Sequence, residues 1–288
     1  MGQAASGVAG RGASPLRLAL PLTLFSVLFF VAPLLLLGMV SLFDDTQMTR
    51  MGLAQWHKLL GDAFTWRVLG STLWLGVKVT ALCLVIGFAL AWAFVRCPRW
   101  LQTALIVVIV LPLLTSVVVR TFAWIVILGR QGIVNSVLAA VGWIDAPLKL
   151  LYTDGGLVVA LANVQLPLMT LPLITALQKL DPNLQDASAA LGAGAWTTFR
   201  RVTVPLALPG ILAGCLLTYA AAITAFITQS LVGGGQMLFM PMYLYQQAST
   251  LQNWPYAAAI SILFLVAVLL CVSLFNALGR LSRGLAPA

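Results

Sequence analysis

The sequence predicts an all-α membrane protein with six transmembrane helices, and three observations carry that prediction. Of 288 residues, 61% are hydrophobic and only 8% charged, against roughly a quarter charged in a soluble domain. The mean hydropathy is +1.02. Six apolar runs, at about 18–42, 70–95, 102–128, 156–177, 209–231 and 257–279, reach the roughly 20 residues that a helix needs to cross about 30 Å of hydrocarbon. They form a transmembrane domain over 18–279, with short tails at 1–17 and 280–288.

Sixteen Lys and Arg against seven acids, all of them Asp, give a net charge of +9. A nucleic-acid binder could share that charge but not this scarcity of polar surface, so the charge is read against a bilayer and not against nucleic acid. The four cysteines show no C-x-x-C spacing, and no disulfide framework or metal site follows from them.

The first run follows Arg11 and Arg17, is about 25 residues long and lacks a small-residue cleavage site, so it reads as a signal anchor. His57, in the loop after it, is the lone histidine and reads as a surface residue. Without a second base or ligand, an intramembrane hydrolase is excluded. Run two contains Lys78 and run three contains Arg120, each about eight residues, or about 12 Å, from the same membrane face. No Asp or Glu lies inside any run. The two cations therefore either snorkel to the interface or face a route and its gate, taking carbonyls, water, solute or another subunit as partners.

After run three, Gly132 to Trp143 places Ile133, Val134, Val137, Leu138 and Val141 on one helical face. That pattern is a short amphipathic helix lying in the interface. Run four carries Gln165 and is interrupted by Pro167 and Pro172, which can leave carbonyls free near a cavity. Thr115 and Ser116 on run three, Gln165 on run four and Tyr219 on run five fall at similar depth. They either make interhelical hydrogen bonds or line the route, where Tyr219 with Trp124 could offer a cation-π surface. Gly210, Gly214, Thr218 and Ala222 on run five form a small-residue face for close helix packing.

The connection 178–208 is the one long loop on its side. Asp181-Pro182 supplies an N-cap acid and an N1 proline; Leu184, Ala187, Ser188 and Leu191 recur at helical spacing; Gly192 and Gly194 break the helix. Ala195 to Arg201 forms a second short helix with Trp196 and Phe199, and Pro205 and Pro209 stop it before run five. The result is a helix-glycine-helix elbow. Its side of the membrane carries nine Lys and Arg against two Asp, whereas the opposite loops carry five of each. The positive-inside rule therefore places the elbow and both termini in the cytoplasm.

In this elbow the chain resembles the membrane subunits of type I ATP-binding-cassette importers. Asp186-Ala187-Ser188, Gly192 six residues after the acid, and Val202-Thr203-Val204-Pro205 ending nineteen residues after it reproduce the spacing of their signature. Ala187, Gly192 and Pro205 match in kind; Asp186, Ser188, Val202 and Val204 are conservative departures. Further likeness, in Arg120-Thr-Phe-Ala-Trp124, Gly129-Arg-Gln-Gly-Ile-Val-Asn135, Pro147-Leu-Lys-Leu-Leu-Tyr152 and Asn253-Trp254-Pro255, points to the spermidine/putrescine permease branch.

The resemblance implies the permease fold of that class in a bacterial inner membrane, and an elbow docked in a cleft of a cytosolic ATPase. It implies as partners a second similar permease, two ATPase subunits and an extracytoplasmic solute-binding protein, within membrane lipid. The chain has no G-x-x-x-x-G-K-[ST] loop, so it binds no cofactor itself; ATP and magnesium belong to the ATPase. Driving such a joint from 1:99 to 99:1 takes about 5.5 kcal/mol. An exposed ion pair at Asp186 offers about 0–1 kcal/mol, and burying Leu191, Trp196 or Phe199 about 1.5–3 kcal/mol each.

The solute implied is a polyamine, with organophosphonates, opines, thiamine or ferric iron as others of the class. Two cations and no carboxylate within the runs suit an anion on charge alone. Acids on the partner permease, or selection by the binding protein, would reconcile the two. From a different class, an ion-coupled carrier or channel would place carboxylates in its spans.

Overall fold

A computed structural model describes residues 15–181 and 183–283. Pro182, expected at the opening of the elbow, and residues 1–14 and 284–288 lie outside the described residues. Among those described, six helical stretches are long and apolar enough to cross a membrane: Pro21–Val40, Ala63–Arg96, Val117–Ala140, Asp154–Gln178, Ala195–Ile223 and Trp254–Phe275.

From Pro21 onwards helix α1 (Pro15–Val40) is almost wholly apolar and leaves its flanks exposed, as a lipid-facing helix does. A turn held by Asp44 and Asp45 leads into α2 (Ala54–Gly61). Asp62 then caps α3 (Ala63–Arg96): its carboxylate accepts the Thr65 hydroxyl at 2.7 Å, the Phe64 amide at 3.0 Å and the Thr65 amide at 3.3 Å. The Thr65 hydroxyl is the main reason its carboxyl titrates below the ordinary aspartate value. The folded protein therefore binds that proton less readily than the unfolded chain, and the cap is present at neutral pH and lost on acidification through the depressed value. Asp62→Ala is expected to cost about 1 kcal/mol at pH 7. Thermal unfolding in detergent should show that deficit shrinking towards pH 3.

The expected third span is divided. α4 (Arg99–Leu114) ends at an extended Thr115-Ser116 pair, and α5 (Val117–Leu128) resumes beyond it. Pro112 has no amide to donate in the last turn of α4, and the Thr115 hydroxyl donates to the Pro112 carbonyl at 3.0 Å, so a side chain replaces the helical ladder there. The short helix expected after run three is α6 (Ile133–Ala140), with Ile133, Val137 and Val141 exposed. Its buried Asn135 donates to the Gly129 and Leu148 carbonyls, each at 3.0 Å, and accepts the Leu148 amide at 2.9 Å. One side chain thus clips the turn before α6 to the loop after it.

Helix α7 (Asp154–Gln178) runs unbroken through Pro167 and Pro172. Its flanks are gripped by α3 and α10, so the ladder bonds lost at the prolines do not open it. After α8 (Asn183–Ala190) and α9 (Ala195–Thr198), residues Phe199–Thr203 wind as a π-turn into α10 (Val204–Ile223). Pro205 and Pro209 do not stop the elbow's second helix. The wider turn, with the Val204 amide reaching the Phe199 carbonyl, relieves Pro205, whose ring would clash with an α-helical predecessor.

The fifth span starts at the elbow and ends at Thr224, short of the expected 231, and α11 (Phe226–Gly233) follows. The buried Gln229 amide donates to the Ala222 carbonyl at 2.8 Å and covers the end of α10. Helices α12 (Met240–Tyr245) and α13 (Trp254–Arg283) complete the chain.

The main core fills the space between α3, α7 and α10 with Leu75, Val79, Leu161, Met169, Leu173 and Cys215. The small-residue face of α10 is the reason those helices come so close. A Cβ at Gly214 would stand 2.8 Å from Met169 Sδ and 3.0 Å from the Met169 carbonyl oxygen.

Candidate functional site

Two places in this frame carry the side chains singled out from the sequence. The first is a cavity of about 490 Å³ where the two broken spans meet α7. Thr115, Val117 and Arg120 line it from the first break, Gln165 from α7, and Thr224 and Thr228 from the second. The second halves of the broken spans are joined across it, Thr121 Oγ1 lying 3.2 Å from Thr228 Oγ1. No Asp or Glu lines this cavity.

Arg120 Nε and Nη1 are buried and have no acceptor among the described residues. Gln165 is 7% exposed, and its amide has no hydrogen-bond partner among the described residues. The remaining candidates stand elsewhere. Ser116 caps α5, its carbonyl accepting the Arg120 amide at 3.1 Å. Trp124 donates to Asn163 Oδ1 at 3.3 Å. Tyr219 is buried towards α13, with its hydroxyl 3.5 Å from Cys271 Sγ and its ring 5.6 Å from that of Phe275. It therefore shares no cation-π surface with Trp124.

Lys78 corrects the expectation that neither intramembrane cation has an acid in this chain. Its Nζ pairs with Asp154 in the first turn of α7. That helix begins two residues before the expected span, and a carboxylate there is also favoured by the helix N-terminus. Thr224, Thr228 and the second break were not foreseen. Ile223-Thr224-Ala225-Phe226 holds no Pro or Gly to mark a break, and the one signal was Gln229, a polar residue within the apolar run.

The second place is the elbow. Leu191 closes α8, and Gly192 follows with φ +77°, a left-handed conformation that suits glycine at a helix end. The Ala193 amide returns to the Ser188 carbonyl at 3.1 Å, and Ser188 Oγ lies 2.8 Å from Thr198 Oγ1, which closes the angle between α8 and α9. Asp186 and Ala187 are exposed, as is Pro205, whereas Val202 and Val204 are half-buried.

The three expected anchors divide. Leu191 is 89% exposed and Trp196 73%. Phe199 turns inward: its ring centroid is 5.3 Å from Trp92 and 5.6 Å from Phe88, both edge-on, and Trp196 stacks on its other side at 5.4 Å. The Arg96 guanidinium lies over Trp92 at 3.5 Å. Phe199 is thus not free to serve as an anchor in the ATPase cleft, because the helix carrying it continues into α10 and points that residue at α3. What results is an aromatic strut from the exposed elbow to the longest span.

Comparison with known proteins agrees with this architecture. A family model described as binding-protein-dependent transport system inner membrane component matches residues 83–284. The spermidine/putrescine transport system permease protein PotB of Escherichia coli K12 is 31% identical over 240 residues, covering 83% of this chain and 87% of the relative. The crystal structure of a bacterial ABC transporter involved in the import of the acidic polysaccharide alginate superposes with a TM-score of 0.76 at 17% identity, over 94% of this chain and 95% of that one. The bacterial alginate ABC transporter in complex with an alginate pentasaccharide-bound periplasmic protein gives 0.75 at 17% identity, over 92% and 93%.

Proposed function

This chain belongs to the family of binding-protein-dependent transport system inner membrane components, and we propose that it forms one half of the pathway by which an importer carries a polyamine across a bacterial inner membrane. The observation that carries the importer reading is the elbow: a glycine-closed helix pair that displays Leu191 and Trp196 to a partner while Phe199 ties it to α3. The solute is taken from the spermidine/putrescine permeases, about a third identical over most of their length.

The other half of the pathway is a second permease subunit. Two ATPase subunits bind ATP and magnesium beneath the membrane, and a solute-binding protein delivers from outside. The elbow face carries the excess of Lys and Arg, so it lies in the cytoplasm. When the ATPases close on ATP, their cleft moves Leu191 and Trp196. The Phe199–Trp92 contact passes that displacement to α3, and the spans exchange inward for outward opening. This chain works as a lever and performs no chemistry of its own.

ATP hydrolysis by the reconstituted complex, with binding protein and a panel of amines and anions, tests the solute. Spermidine or putrescine is expected to raise the rate severalfold over the solute-free complex. Stimulation by an anion with silence towards both amines would overturn the polyamine.

A further inference from the structure

The cavity between the broken spans has a sign, and that sign is positive. Each break brings one helix C-terminus (α4 or α10) and one helix N-terminus (α5 or α11) to its wall, so the helix dipoles offset one another and the sign comes from Arg120. Arg120 adds a full charge in the first turns of α5, where the helix dipole disfavours a cation. The other cation within the spans, Lys78, has Asp154; Arg120 has no acid, and two of its buried nitrogens have no acceptor. Beside it, Gln165, a residue 7% exposed, lines the same cavity.

A guanidinium withdrawn from water costs several kcal/mol unless it is paired. Its forked donors match the two oxygens of a carboxylate or similar oxyanion. We propose that this cavity is an oxyanion site, in which the Arg120 guanidinium and the Gln165 amide hold a carboxylate-class group. The inference deepens the proposed route and rests on the chain working within an importer. Two sources can supply that group. One is a carboxylate side chain of the second permease subunit, which cancels the charge and leaves the route open to a polyamine. The other is an oxyanion carried by the solute.

The test is made on the complete importer with Thr115→Cys at the cavity wall, using the unsubstituted complex as background. The rates of modification by a sulfonate-bearing and a trimethylammonium-bearing methanethiosulfonate are compared, with inorganic sulfate as competitor. Arg120→Gln is expected to lower the anionic-to-cationic rate ratio about tenfold. A starting ratio well above one that sulfate suppresses assigns the site to an oxyanion solute. A ratio near one that is insensitive to sulfate assigns it to a carboxylate of the second subunit.

A change below roughly twofold on Arg120→Gln would overturn the site. If Arg120→Gln does not assemble, Arg120→Lys decides: assembly restored by the second cation supports the site, and failure of both variants overturns it. Solute-stimulated ATP hydrolysis remains readable in the same complexes, so loss of this inference is distinct from loss of the importer reading.

Discussion

An importer carrying Leu191→Asp together with Trp196→Asp is expected to lose its ATPase subunits on purification while the permease still inserts. Leu191 is almost wholly exposed, so its replacement removes nothing from this chain, and Trp196 surrenders only its stack on Phe199. Each side chain buried in an ATPase cleft contributes about 1.5–3 kcal/mol. Losing both weakens association more than about a hundredfold.

Gly192→Pro reaches the same end by another route, because proline cannot adopt φ +77° and the angle between α8 and α9 is lost. Phe199→Ala should behave differently. The ATPase stays bound through Leu191 and Trp196, but its hydrolysis no longer responds to solute, because the contact with Trp92 is gone. The measurements are ATPase recovered per permease and the ratio of stimulated to basal hydrolysis. Full ATPase recovery with the double aspartate variant would remove the elbow as the dock.

Gly214→Leu is expected to prevent the bundle from packing at all. Even a Cβ at this position meets Met169 Sδ at 2.8 Å and, more seriously, the Met169 carbonyl oxygen at 3.0 Å. A thioether can swing aside; the backbone of α7 cannot, since α3 holds its other flank. Overpacking of this kind costs about 1–3 kcal/mol for a few added methylenes, and more where backbone must shift. Gly38→Leu on α1, where nothing lies within 4 Å, serves as the control and should leave the protein unchanged. Met169→Ala should rescue Gly214→Ala only in part, because the carbonyl remains. Recovery of monodisperse protein after stepwise heating in detergent reads all four. A fully stable Gly214→Leu chain would show that α7 and α10 are not in the contact described.

The two predictions bear on the ends of one mechanical line. The strut at Phe199 enters α3 near Trp92 and Phe88, and the adjoining face of α3 lies against α7 at Gly87, where a Cβ would stand 3.0 Å from Met169 Cγ. Met169 in turn fills the notch of Gly214 on α10. Displacement of the elbow therefore meets rigid, close-packed neighbours up to Gln165, one helical turn from Met169 at the cavity wall. A loosely packed bundle would absorb such a movement.

By itself the sequence determined the apolar spans, their number and the elbow, because hydrocarbon thickness and helix rise leave few solutions for runs of this length. It also placed the small-residue face of α10, the short helix α6 and the glycine that turns the elbow, each written in a local pattern of residue types. The elbow spacing was enough to indicate the family. Tertiary structure decided where helices yield. Pro167, Pro172 and Pro205 looked like breaks and are carried through, since neighbouring helices or a π-turn compensate the missing amide. Thr224 carried no such mark, and Thr115 only Pro112 three residues before it, yet the chain opens at both because side-chain hydroxyls and the distant Gln229 take over the helical carbonyls. Pairings followed the same rule: Lys78 found Asp154 and Phe199 found Trp92 across separate helices, while Arg120 found no acid. The energy of a break or a pair is settled by groups brought near from elsewhere in the chain, and a local pattern does not contain them.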